Sequence, residues 1–172
     1  MATMLPTIFD AAFFRKQEAA RAAALAERSG LSGDAALDEM IRLGVDAESF
    51  AAFALVPLVA LAWADGRLSH REREAILVAV EAEGIRPGGA AARLLEDWLS
   101  ERPPRRLFDA WERYARAVGE DEAVRRSALA AAVLGRARAV VETARRFRSR
   151  GRLSRGERRA LERIVRAVGA AA

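Results

Sequence analysis

An all-α fold is what this chain predicts, and three features of its sequence predict it. Alanine, leucine, arginine and glutamate, all strong helix formers, dominate the composition, whereas threonine, isoleucine and tyrosine are scarce and aromatics make up only 6%. Apolar residues recur at helical spacing, as in Leu107, Phe108, Trp111 and Tyr114. Serine, aspartate and glycine punctuate these stripes where helices would start and stop. At 172 residues the chain suits one domain with a substantial core. The expectation is a single-domain bundle of about seven to eight helices, with residues 1–45 a helical extension packed on a bundle formed by residues 46–172.

Thr7 can cap a first helix running to about Ser29, with Phe9, Phe13, Phe14 and Leu25 supplying its apolar face. "SGLSG" breaks it, and a short helix follows over about 34–43, stopped by Gly44. Asp46 can cap the next, roughly 47–64, whose near-continuous hydrophobicity marks the most buried element and which Pro57 should bend. Gly66 ends it. Ser69 and Glu72 have the capping-box spacing and start a helix with Ile76, Leu77 and Val80 inward, stopped by Gly84. After "RPGGA" comes a helix carrying Leu94, Leu95, Trp98 and Leu99; "ERPPRR" makes the next turn, and a helix over about 105–118 follows. A long helix over about 121–147, with Leu129, Val133, Val140 and Phe147, precedes the last, about 154–168, which buries Leu161, Ile164, Val165 and Val168.

Composition excludes several functions. Without cysteine there are no disulfides, thiolate metal sites or cysteine nucleophiles. One histidine, His70, rules out a multi-histidine zinc site within one chain and reads as an exposed first-turn residue. The longest apolar run, residues 50–64, is interrupted by Pro57 and too short to cross a membrane, and the N-terminus mixes charges into what a signal peptide would keep apolar. A cytoplasmic protein is expected. All the basic residues but Lys16 are arginine. Residues 136–166 hold twelve arginines against Glu142, Glu157 and Glu162, a basic hairpin that is either a solvating face or an anion and nucleic-acid footprint. Arg145, Arg146, Arg148 and Arg150 are its candidate anion ligands.

The chain also repeats itself. Residues 66–84 and 151–169 share ten identities in nineteen positions, including Gly66/Gly151, Leu68/Leu153, Ser69/Ser154 and Glu72/Glu157. Both copies encode a helix, a glycine break, a leucine plug under the turn and a capping box. An internal pseudo-duplication of this hairpin, with approximate two-fold symmetry, is the natural reading.

"VPLVALAWADGRLSHREREAILVAVEAEGI", residues 56–85, resembles the TerB-like family, helical domains named for bacterial tellurite resistance, a relative of which heads a membrane-linked DnaJ-type co-chaperone. The shared signature is an apolar helix ending in Ala-Asp-Gly, a hydrophobic residue, Ser or Asp, then Glu. The resemblance implies a non-enzymatic module that works through protein partners in a stress response. It also implies a cation such as calcium, with Asp65, Glu72 and Glu157 falling on the acidic ligand positions. Arg150 stands where the second copy would carry its aspartate, so the implied site is weakened, and Asp65 is expected to pair with an arginine, Arg150 itself if the symmetry holds.

Overall fold

The computed structural model describes residues 8–31, 35–120, 131–140 and 153–169, with the side chains of the first helix from Phe13 onward. Among these residues nine helices and no strand occur: α1 (Ile8–Ser29), α2 (Ala35–Arg42), α3 (Phe50–Phe53), α4 (Val56–Ala62), α5 (His70–Ala82), α6 (Ala90–Ser100), α7 (Arg105–Glu120), α8 (131–140) and α9 (Arg155–Gly169). The all-α bundle predicted from composition is the fold.

One element differs from expectation. The apolar helix anticipated over 47–64 is two short helices, α3 and α4, joined at Ala54 and Leu55. Pro57 has no amide to give and its ring collides with the carbonyl four residues back. The first helix therefore stops at Phe53, and Pro57 takes a place in the first turn of α4, where its missing donor is harmless. Asp46 caps the turn over 47–49 rather than the helix, which starts at Phe50 with Ser49 as its N-cap. The Asp46 Oδ1 accepts from the amides of Glu48 (3.0 Å) and Ser49 (2.8 Å) and from the Ser49 hydroxyl (2.8 Å). Partial burial pushes the Asp46 pKa up, but the hydrogen bonds from Ser49 and Glu48, with the charge of Arg21, outweigh it and hold the carboxyl below its usual value.

α7 is the central strut, packing against α2, α4 and α9. Its amphipathic stripe buries Leu107, Trp111, Tyr114 and Val118 completely or nearly so. Tyr114 sits edge-on to both Phe50 and Phe53, each at 5.7 Å between ring centroids, and its hydroxyl donates to the Ser29 carbonyl at 3.2 Å. That bond ties α7 to the buried end of α1, and burial pushes the phenol pKa strongly up. Leu25, Leu37 and Met40 join the same core, so α1 and α2 share it with the rest of the chain.

Two apolar stripes fill less than expected. Phe13 and Phe14 are 63% and 60% exposed, and among the described side chains of α1 the first buried one is Leu25. On α5, Ile76 is buried and Val80 packs beside it one turn on, while Leu77 faces out. In α9 the buried set is Leu161, Ile164, Ala167 and Val168, with Val165 at its edge. Val133 and Val140 of α8 are buried; Leu129 and Phe147 lie outside the described residues. Among the described residues no helix is long and apolar enough to cross a membrane.

Candidate functional site

Both capping boxes form. Ser69 accepts from the Glu72 amide (3.3 Å) and Glu72 accepts from the Ser69 amide (2.7 Å). Ser154 and Glu157 repeat this at 3.1 and 2.7 Å. Beneath each turn a leucine, Leu68 or Leu153, packs half-buried on the core. Gly66 adopts φ +83°, the left-handed conformation that closes the first turn without a Cβ penalty. The corresponding Gly151 lies outside the described residues.

The first turn and the second capping box touch. Asp65 Oδ1 accepts a 2.5 Å hydrogen bond from the Ser154 hydroxyl, across 89 residues of chain. Ser154 thus accepts from its own helix and donates to Asp65, while the carboxylate of Asp65 lies at the positive end of the α9 dipole. Gly156, the second residue of α9, makes this approach possible. A Cβ there would stand 2.9 Å from the Ala64 carbonyl carbon, closer still to its oxygen, and 3.2 Å from Asp65 Oδ1.

Of the three acids expected to share a cation, Asp65 is therefore engaged with Ser154, and Glu72 and Glu157 each hold a serine amide with one oxygen. Among the described residues no group of three or more His, Asp or Glu side chains is arranged to hold a metal ion. The expected anion ligands Arg145, Arg146, Arg148 and Arg150 lie outside the described residues, and with them any pairing of Asp65 with Arg150. His70 is exposed and lies 3.2 Å from Glu74, one turn along α5.

Beside the Asp65–Ser154 joint runs a groove of about 370 Å³, between α4, the 101–104 segment, the start of α7 and one face of α9. Its floor includes half-buried Ala60, Trp63 and Ala160 over the buried Val56 and Val59, with the indole fixed by a 2.9 Å hydrogen bond from Nε1 to the Trp98 carbonyl. Arg102 and Arg105 stand on one side, flanking Pro103 and Pro104; Arg159 and Arg163 stand on the other, one helical turn apart.

Arg163 is internally satisfied. It donates to Glu112 (3.0 and 2.7 Å) and Asp109 (2.6 Å), and its guanidinium lies 4.4 Å over the Phe108 ring. The Glu112 hydrogen bond leads in raising its pKa, against an opposing desolvation. Among the described residues Arg102, Arg105 and Arg159 make no ion pair. The basic hairpin is likewise less uniform than its composition, since Arg136 pairs with Glu83 at the end of α5.

Asp65, Glu72 and Glu157 occupy the turn and capping boxes that the sequence predicts, whereas the groove has no counterpart among the sequence's predictions. "ERPPRR" reads as a turn; the missed signal is that two adjacent prolines stiffen the backbone between Arg102 and Arg105. Comparison with protein-family models, curated proteins and solved structures finds no match for this chain.

Proposed function

We propose that this chain is a non-enzymatic, TerB-like helical module of the stress-response, tellurite-resistance kind, acting in the cytoplasm by holding a protein partner in the groove between α4, α7 and α9. The observation that carries the reading is the groove itself: a preformed cleft with an apolar floor, a pinned indole and three arginines lacking acidic partners among the described residues. Concave, largely apolar sites with a few convergent polar groups are the usual places where proteins bind ligands. The resemblance over residues 56–84 supports the module class, and the groove lies beside that segment. In this reading the cation site implied for Asp65, Glu72 and Glu157 is vestigial: Asp65 serves as a clasp for Ser154, and calcium is dispensable.

Anion or nucleic-acid binding through residues 136–166 is the alternative, and its strength is the excess of arginine there. Two of those arginines, Arg136 and Arg163, are committed to internal acids, which favours the groove.

Cross-linked co-purification from the source cells tests the proposal, comparing the wild-type protein with an Arg102→Glu, Arg105→Glu, Arg159→Glu variant. All three positions are exposed, so the variant should fold normally by circular dichroism. Loss of specific partners from the variant is expected. An unchanged partner set would refute the groove as the docking site.

A further inference from the structure

Resting on that reading, we infer that the groove's occupant is an acidic peptide segment in which one bulky apolar residue is flanked by aspartate or glutamate. The floor and the rim of the groove ask for different chemistry at short range. Half-buried Ala60, Trp63 and Ala160 present carbon, and the indole N–H of Trp63 is already spent on Trp98, so the floor offers no hydrogen-bond donor from that ring. The rim presents Arg102, Arg105 and Arg159 from two facing elements.

Arg163 sets the standard for what an arginine here prefers. It takes two carboxylates, one of them through paired N–H donors, while lying on an aromatic ring. The other three have the same fork of donors and no carboxylate among the described residues to fill it. Guanidinium forks match carboxylates in two-point contacts, and clusters of arginine are a recurrent means of reading acidic motifs.

An extended peptide satisfies both parts together. Successive side chains alternate in direction, so an apolar residue set on the floor sends its neighbours up toward the rim. A phosphodiester strand matches only the rim. It would cover the Ala60 and Ala160 carbon with polar backbone, and half-buried Trp63 is not an open stacking platform of the kind single strands use. Stiffness adds to the fit, because Pro103 and Pro104 limit the backbone freedom lost when Arg102 and Arg105 are ordered by a ligand.

Selection of random peptides of about twelve residues, displayed on phage, against the folded full chain tests this, since that length in extended form spans roughly 40 Å. Enrichment of aspartate and glutamate around a leucine, isoleucine, phenylalanine or tryptophan is expected. A synthetic peptide of the enriched sequence should bind the Arg102→Glu, Arg105→Glu, Arg159→Glu variant about tenfold or more weakly, and should bind the wild type less as salt rises. Ala60→Asp, which spoils the floor at a half-buried position, should weaken the same peptide if the variant's melting temperature shows it folded; Arg159→Ala provides the readout if it does not.

Enriched peptides that depend on the groove but lack acids would overturn the acidic-peptide inference and leave the docking groove standing. Peptides indifferent to all of these variants, or no enrichment, would overturn both. Tighter binding of a single-stranded oligonucleotide, lost in the triple variant, would replace the peptide by nucleic acid.

Discussion

Gly156→Ala should destabilise this protein although the same change is normally favourable inside a helix. Alanine exceeds glycine in helix propensity by about 0.8–1 kcal/mol, so an unobstructed site would gain roughly that amount. At Gly156 the added methyl would meet the backbone of Ala64, 2.9 Å from its carbonyl carbon and closer to its oxygen. Backbone cannot rotate away as a side chain can, so the start of α9 must retreat. Overpacking of this kind costs about 1–3 kcal/mol, and weakening the Ser154–Asp65 hydrogen bond adds about 1 kcal/mol. Set against the propensity gain, the net loss is about 1–3 kcal/mol, or about 2–12 °C in melting temperature for a chain of this size. Gly135 supplies the control. It lies in α8 with nothing within 4 Å of its would-be Cβ, so Gly135→Ala should raise the melting temperature. Thermal unfolding of the two variants by circular dichroism decides the matter. A Gly156→Ala protein at least as stable as wild type would show that α9 does not meet the Ala64 turn as described.

Three further outcomes are expected. Ser69→Ala should cost about 0.5–2 kcal/mol by denaturant unfolding, and Ser154→Ala more, because Ser154 also holds Asp65; equal losses would deny the clasp an energetic role. Asp46, whose pKa is depressed by folding, stabilises the protein above its unfolded value of 3.8 and stops doing so as pH falls through the lower folded value. Asp46→Asn should therefore be least stable relative to wild type near neutral pH and approach it in acid, and a gap that widens on acidification would reverse the assigned sign. Calorimetric titration with calcium should show no micromolar site; such a site, abolished by Asp65→Asn, would restore the cation role to Asp65.

What the sequence revealed and what it hid divide by range. The capping boxes were legible because Ser-x-x-Glu is a local pattern whose bonds close within three residues. The stop at Gly66 was legible for the same reason. Pro57 was visible too, but whether a proline bends a helix or ends it depends on what the freed carbonyls and neighbouring turns can do, which the local pattern leaves open. The burial of Phe13 and Phe14 was overestimated because periodicity shows which face is apolar and not how far along a helix its partners reach. Asp65 meeting Ser154 spans 89 residues, and Arg163 meeting Asp109 spans 54; no spacing rule connects such pairs.

The joint and the groove are mechanically one structure, because both are built on the first two turns of α9. Gly156 sets how closely that helix approaches the end of α4, and Asp65 fixes its first turn through Ser154. Arg159 and Arg163 follow on the same face and inherit their positions over the groove from that contact. A carboxylate held against a helix N-terminus already has its counter-charge, about half an elementary charge from the aligned amides, with a hydroxyl donor added. Nothing more is needed to keep Asp65 in place. Loss of the Ser154 bond would loosen the helix that carries two of the groove's four arginines. Ser154, Asp65 and Gly156, which form the joint, are therefore also the residues that hold the proposed binding site in shape.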